Sequence, residues 1–348
     1  MTTLHLASER DDPIVRAFLR DNPMTGWVDI TIEREPSFFA GADWLGREWA
    51  VLCQEDGELV GMYTAALRAL HVNGRAEAMG YLGGLRVDRR HRHRIRYLRE
   101  GFDSVRRLAP ARGTLDWWVT VIGDANNAAR RVLEAGLRGM PTYIRQGDYL
   151  TLVLPTGRGR GHGLWRGARA GEEPAIAGFH NRHAAPYQCS PVLEAGHVAR
   201  IGLDRFLVHE RGGKMLGAVA LWDQRAFKQV VVQRYGPAIG MLRPAYNALA
   251  GVLGRLPLPA AGQALDQTFL AFLALDEQAL PQAAALIEDA LHRCRTPAAV
   301  IGLHAGHALL DVLGRFRPVP YPAGIYAVTF GEPVRLDGRP VQPEAALL

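Results

Sequence analysis

The spacing of apolar positions divides the chain into two stretches of similar rhythm on either side of a glycine- and arginine-rich segment. After an opening strand, Ile14, Val15, Phe18 and Leu19 recur at helical spacing and predict a helix over residues 12–20. The segment EWAVLCQEDGELVGMYTAALRALHVNGRAEAMGYLGGLRV then holds three β-rich runs, parted by the turn signals Glu55-Asp56-Gly57 and Asn73-Gly74, and predicts an antiparallel meander. A basic helix is predicted from about His93 to Leu108, a strand from Leu115 to Ile122, a helix from Asn126 to Glu134 and a strand from Thr142 to Val153.

Residues 156–171, TGRGRGHGLWRGARAG, carry no apolar periodicity and predict a linker. Beyond them the order returns. A helix near Glu173–Arg182 precedes the hairpin DRFLVHERGGKMLGAVALW, and the strand TFLAFLALD precedes a helix over Leu280–Cys294. The strand Ala298–Leu303, the helix His307–Leu313 and the strand Gly324–Thr329 complete the second stretch, and the Pro-rich run from Gly331 to Leu348 is expected to be extended. The pattern predicts an α/β (α+β) protein of two tandem domains, residues 1–155 and 172–335, followed by a tail at 336–348. Each domain is expected to be a mixed, mostly antiparallel sheet flanked by helices.

A length of 348 residues suits two cores better than one, and 48% hydrophobic with 22% charged residues is the composition of a globular chain rather than a disordered one. Cys53, Cys189 and Cys294 are far apart and outside any C-x-x-C spacing, which indicates neither a disulfide framework nor a zinc site. No apolar run reaches the roughly 18 residues of a membrane span, and the first residues do not read as a leader. The expectation is a cytoplasmic chain, without membrane contact, acting as a monomer or homodimer.

The net charge of +6 is almost wholly arginine, because Lys214 and Lys228 are the only lysines, and such a field suits an anionic partner such as CoA or RNA. Its densest part is GYLGGLRVDRRHRHRIRYLREGF, residues 80–102, with seven arginines between Arg86 and Arg99. A strand ending at Val87 leads through a short turn into a helix, where unpaired backbone N–H groups and the positive end of the helix dipole can receive a pyrophosphate. Arg92, Arg94 and Arg96 can add charge-assisted bonds, and Gly83 and Gly84 let a ligand approach the backbone of the strand end.

This segment resembles the CoA-binding motif of the GNAT superfamily of N-acyltransferases, V-x-x-x-x-(R/Q)-x-x-G-x-(G/A). Val87 falls on the valine and Arg92 on the Arg/Gln position, while Ile95 and Tyr97 stand where the family has glycines. A second segment, DANNAARRVLEAGL, is similar to the family's N-x-x-A-x-R-x-L-E-x-x-G-F, with Asn126 and Ala129 on the Asn and Ala. The resemblance covers residues 1 to about 154. It implies two tandem GNAT-like domains, of which the second is degenerate, since its counterpart of the phosphate turn, LALDEQALPQAAAL, offers acids and a proline instead of arginines.

The resemblance further implies an acetyl-CoA or other acyl-CoA cosubstrate held by Leu85, Arg86, Val87, Arg92, His93, Arg94, Ile95, Arg96, Tyr97 and Asn126, with Leu85 and Val87 as amide donors to the thioester. The acyl group would pass directly to a small-molecule, amino-acid or peptide amine, with no metal. The family's acidic tyrosine is Leu133 here, which leaves Tyr81, Tyr97 or Tyr143 to protonate the leaving thiolate. Glu77 and Tyr81, on the strand leading to the site, and Asp116, on the adjoining strand, are the candidate catalytic groups. Each also has a plainer reading: a solvated edge residue, a core tyrosine and a hydrogen-bonded surface acid. His304 and His307 have the spacing of half a metal site without further ligands. Two alternatives stand beside acyl-CoA transfer: the same fold using aminoacyl-tRNA or an acyl carrier protein as donor, and a non-catalytic binding protein. The acceptor pocket is expected from residues 23–45 and parts of the second domain.

Overall fold

The computed structural model describes residues 2–26, 28–92, 94–108, 117–157, 160–332 and 334–348. The first half contains β1 (Thr2–Leu6), α1 (Asp12–Asp21), β2 (Val28–Glu33), β3 (Arg47–Glu55), β4 (Glu58–Val72) and β5 (Arg75–Val87), then α2 (Ile95–Leu108), β6 (Trp117–Gly123), α3 (Asn127–Leu133) and β7 (Thr142–Pro155). The second begins with β8 (Arg166–Gly167), α4 (Glu173–Ala184), α5 (Ala195–Ile201), β9 (Phe206–Arg211), β10 (Lys214–Trp222), β11 (Gln229–Tyr235) and α6 (Pro237–Leu253). It ends with β12 (Gln267–Leu275), α7 (Ala283–Arg293), β13 (Ala298–His304), α8 (Leu309–Gly314) and β14 (Val319–Thr329).

The expected meander is β3–β4–β5. Its turns close tightly because Asp56-Gly57 and Asn73-Gly74 adopt positive φ, the backbone that two-residue hairpin turns require. Helix α1 turns Val15, Phe18 and Leu19 inward against Ala50 and Leu52 of β3.

Among the described residues, twelve strands form one mostly antiparallel sheet in the order β1-β3-β4-β5-β6-β14-β7-β13-β12-β10-β9-β8. The last strands of the two halves are exchanged: β14 inserts beside β6, and β7 pairs with β13 over Tyr149↔His304 to Pro155↔Ala298. β7 and β14 also pair with each other at the centre. There Tyr149, Ile325 and Tyr326 are fully buried, so the hydrophobic effect ties the halves together through shared strands.

Two further features cross between the halves. β2 and β11 form a separate antiparallel ribbon, Ile32 opposite Val230 and Ile30 opposite Val232, and β2 falls within residues 23–45, the stretch expected to line the acceptor pocket. The Pro-rich tail returns over the sheet, with Val341, Ala345 and Ala346 buried, and Glu344 accepts from the amides of Phe272 and Ala346.

The glycine-rich segment is anchored by Asp289 of α7. Its carboxylate, 1% exposed, accepts from the amides of His162, Gly163, Leu164 and Trp165. Burial pushes this carboxyl up, but the Trp165 and Leu164 amides and Arg293 outweigh it and hold it below 3.8. Asp289→Ala is expected to cost about 3 kcal/mol in urea unfolding, because it removes the shared acceptor and strands buried N–H groups. The wild-type contribution is complete above pH 3.8 and fades as pH falls below it, since the folded form binds that proton later than the unfolded one. An unfolding midpoint for Asp289→Ala equal to wild type would refute the anchor.

Candidate active site

Among the described residues, β5 and β6 are paired in parallel over Gly80↔Trp118 and Tyr81↔Val119. Gly80 allows this close approach: a Cβ there would lie 2.0 Å from Trp118 Cε3, so the indole occupies the notch left by the missing side chain. Past Tyr81 the strands part. Between Thr64↔Gly83 and Met62↔Arg86, β5 carries one residue more than β4, and Gly84 takes φ +61. This bulge turns the end of β5 with β4 and away from β6.

The gap opens into a cavity of about 460 Å³. One end lies between α2 and α3, lined by Leu98, Phe102, Ala129 and Leu133; the other lies beneath the β2–β11 ribbon, against Ile30, Ile32 and Val230. Residues of the tail and of the second half, including Trp222 and Leu348, complete the wall.

At the α2–α3 end, Leu85, Arg86 and Asn126 line the cavity. Asn126 caps α3 by accepting from the Ala129 amide at 3.2 Å. Arg86 donates from Nη1 to the Leu85 carbonyl, while its buried Nε has no partner. Burial, with Arg92 adding repulsion, pushes its guanidinium down to about 10. Arg86 is thus a half-buried cation with no carboxylate of the described residues ion-paired with it.

The turn after Val87 differs from a simple row of free arginines. Asp88 accepts from the Arg90 amide and pairs with its side chain at 3.0 Å, and Arg92 Nε donates to the Val87 carbonyl at 3.3 Å. Arg94 and Arg96 both ion-pair with Glu55 of β3, and the Tyr97 hydroxyl donates to the same carboxylate. The Tyr97 bond first, then Arg96 and Arg94, hold Glu55 below the usual carboxylate range. Tyr97 packs beside Leu4, Cys53, Val60 and Val87, which places its ring under the start of α2. Ile95 is half-buried at the first turn of that helix. His93 and Asp116 lie outside the described residues.

Tyr81 lines the cavity where β5 and β6 part, and burial pushes its phenol up to about 12. Tyr143 and Leu133 line the α2–α3 end; Glu77 is half-buried four residues before Tyr81 and does not reach the cavity. Trp117 and Trp118 are core side chains.

Sequence reasoning missed the charged group on the other side of Tyr81. Arg34, Glu48, Arg68 and Lys228 all line the cavity. Arg34 Nη2 lies 2.7 Å from Glu48 Oε1, Arg68 Nη1 donates to the Leu347 carbonyl at 2.9 Å, and Lys228 Nζ donates to Leu348 O. The Arg68 guanidinium sits 5.5 Å from the Tyr81 ring centre. Burial pushes Glu48 up, but Arg34, Arg68 and Lys228 outweigh it and keep the carboxylate ionised. The one available signal was Lys228 itself, one of two lysines in an arginine-rich chain.

His304 and His307 lie 5.2 Å apart and pack on Tyr187; among the described residues no group of three metal-ligating side chains is assembled. In the counterpart turn of the second half, Asp276 lies 3.6 Å from Lys214. The three cysteines are free, and among the described residues no helix is long and apolar enough to cross a membrane.

No family model and no curated protein matches the sequence. Solved structures do. N-myristoyltransferase of Saccharomyces cerevisiae with bound myristoyl-CoA is similar over 98% of this chain and 84% of its own, at 11% identity and TM-score 0.57. A GCN5-related N-acetyltransferase from Sphaerobacter thermophilus is similar over 96% and 98%, at 13% identity and TM-score 0.53. One from Anabaena variabilis is similar over 94% and 72%, at 8% identity and TM-score 0.52. The chain therefore has the GNAT fold, in a mostly antiparallel sheet flanked by helices that runs through both halves.

Proposed function

We propose that this protein is an acyl-CoA-dependent N-acyltransferase that transfers its acyl group directly to the amine of a small molecule, amino acid or peptide. The observation that carries the reading is the gap between β5 and β6, opened by the Gly84 bulge onto a cavity that holds Asn126 and the unpaired Arg86 at one end and Tyr81 at its middle. The shared fold with acyl-CoA-binding and acetyl-transferring proteins supports it, as do the two sequence motifs.

In this reading the pyrophosphate sits at the start of α2, within reach of Arg86 and Arg92, and Ile95 and Tyr97 leave room for it because Tyr97 is turned under the helix. The pantetheine arm passes Asn126, and the backbone amides of Leu85 and Val87 receive the thioester oxygen as charge develops on it. The acceptor amine attacks the thioester carbonyl and the C–S bond of the tetrahedral intermediate breaks. The Tyr81 phenol, which keeps its proton throughout the neutral range, protonates the departing thiolate. Glu48, the ionised carboxylate in the cavity, takes the proton lost by the amine, directly or through water. Positioning of the two reactants supplies several kcal/mol of the rate enhancement.

The test is calorimetric titration with acetyl-CoA, longer acyl-CoA thioesters and CoA, followed by release of free thiol against a panel of amines. Micromolar thioester binding and amine-dependent thiol release are expected; absence of binding by every thioester would sink the reading. Tyr81→Phe is expected to lower kcat about 100-fold without changing thioester affinity. An unchanged kcat would remove Tyr81 as the proton donor.

A further inference from the structure

We propose that α6 is a membrane-docking helix, which lays its outer face into the headgroup layer of a bilayer containing anionic phospholipid. The proposal goes beyond acyl transfer and does not depend on it.

A helix at a protein surface ordinarily turns its apolar side chains in and its polar ones out. α6, Pro237–Leu253, does the reverse. Met241, Leu242, Leu249 and Val252 are 78%, 60%, 57% and 88% exposed, the four most exposed large apolar side chains among the described residues. With the exposed Ala245 and Ala248 they recur at helical spacing and form one outer stripe without a polar member. The opposite stripe holds Arg243, Tyr246 and Asn247 beside the buried Ala250.

Those inner polar groups are all tied to the strap at 256–258. Arg243 Nε donates to the Leu258 carbonyl at 3.0 Å and the Tyr246 hydroxyl to the Leu256 carbonyl at 3.1 Å. Asn247 donates to the Leu258 carbonyl at 2.9 Å and accepts from the Leu258 amide at 2.8 Å. The four bonds fix the rotation of the helix, so the apolar stripe cannot roll inward without breaking them. One exposed leucine is ordinary, but a stripe of this kind calls for a cover.

The surrounding charge points to the cover. Between Asp223 and Asp266 the chain contains no Asp or Glu. Beyond the C-terminal end of α6, Arg255 is exposed, and the exposed Arg317 is held there by donating to the Leu253 carbonyl at 3.1 Å. Among the described residues neither is ion-paired with a carboxylate. Lipid phosphates would meet these guanidinium groups while the stripe enters the acyl boundary. A second copy packed face to face on α6 would bring the same acid-free stretch and set like charges near one another. A helix of 17 residues rises about 25 Å, and its inner face is bonded to the protein, so α6 lies along the bilayer surface. The sequence pointed away from membranes because it holds no span, and an interfacial helix needs none. α6 follows β11, so the docked helix would tether the ribbon over the cavity to the lipid surface.

The test is co-sedimentation of the full chain with vesicles of phosphatidylcholine alone and of an equimolar mixture with phosphatidylglycerol, at low and high salt. Binding to the anionic vesicles is expected to be at least about 10-fold stronger than to the neutral ones, and to weaken as salt rises. Leu249→Glu combined with Val252→Glu should lower it about 100-fold, because carboxylates replace the side chains that enter the lipid. Both positions are exposed, so this variant is expected to keep the wild-type unfolding midpoint and thioester affinity. If it does not fold, Arg255→Gln combined with Arg317→Gln is measured in its place, with loss of the preference for anionic vesicles expected. No binding to either vesicle, equal binding to both, or binding that the variants leave unchanged overturns the proposal. Self-association that the glutamate variant disperses, without vesicle binding, also overturns it and gives the face to a second copy. Vesicle binding without thioester binding keeps the docking helix and removes acyl transfer; thioester binding without vesicle binding does the opposite.

Discussion

Arg86→Met is expected to weaken acyl-CoA binding by about 30- to 100-fold while leaving the unfolding midpoint unchanged or slightly raised. The two parts of this expectation come from one fact. Arg86 lines the cavity, its Nε is buried without a partner, and no carboxylate is paired with it. A half-buried guanidinium that no carboxylate of the described residues opposes costs folding free energy, so an apolar side chain of similar length removes a burden. In the complex the same guanidinium would meet the CoA pyrophosphate, and losing a charge-assisted bond in a poorly solvated site costs about 2 to 3 kcal/mol of binding. Arg94→Met serves as the contrast. Arg94 is paired with Glu55, so its loss should move affinity only a few-fold. Calorimetry with acetyl-CoA and urea unfolding of both variants decide the matter. Unchanged affinity in Arg86→Met would place the phosphates elsewhere, and a large drop in stability would show that Arg86 serves the fold instead.

Splitting the chain into residues 1–157 and 158–348 is expected to give two fragments that do not fold separately and that form a soluble 1:1 complex when co-expressed. The first fragment keeps β6 and β7 but lacks β14, which pairs with both. The second keeps β13 and β14 but lacks β7, which joins them. Each fragment alone would expose long unpaired strand edges and the inner faces around Trp117, Trp118, Tyr149 and Tyr326, which are buried in the whole chain. Such edges favour aggregation or a loosely packed state with retained secondary structure. Size-exclusion chromatography and near-ultraviolet circular dichroism distinguish the cases. A monomeric first fragment with a sharp, cooperative melt would mean that β7 can close against β6 without the exchanged strand.

Local spacing made several parts legible. The β3–β4–β5 meander follows from its two Gly turns, and α2 from the apolar stripe of Leu98, Phe102 and Val105 on an otherwise charged segment. Gly83 and Gly84 were legible as room for a ligand at the strand end; that Gly84 sits in a bulge, at φ +61 against Thr64, where a Cβ would clash, is a finding of the structure. Asn126 was legible as the start of α3, and the structure makes it the cap, with Ala129 three residues on donating its amide. In each case the cause lies within a few residues of the effect.

Other parts depend on partners far along the chain. The charges of Arg94 and Arg96 were plain, but their engagement by Glu55 follows from β3 lying beside the start of α2. Tyr97 stands where the family's phosphate turn has a glycine, and the pocket for its ring among Leu4, Cys53, Val60 and Val87 is formed by residues distant in sequence. Glu77 and Tyr81 sat on the same predicted strand, and only packing brings Tyr81 to the cavity and leaves Glu77 outside it. The strand period of β2 and β11 is present in VDITIE and QVVVQRY, but their pairing with each other joins residues from opposite halves.

By itself the sequence determined the β3–β4–β5 meander, α2, the arginine-led turn and the likeness to the GNAT superfamily, because hydrophobic period, glycine and charge act over short spans; α6, α5, β2 and β11 were not read from it. The tertiary structure alone decided the exchange of β7 and β14, the charged group of Arg34, Glu48, Arg68 and Lys228, and the return of the tail to the cavity. Apolar periodicity records which face of a strand is buried and carries no information about the partner that buries it. That choice is made by the whole sheet when it closes.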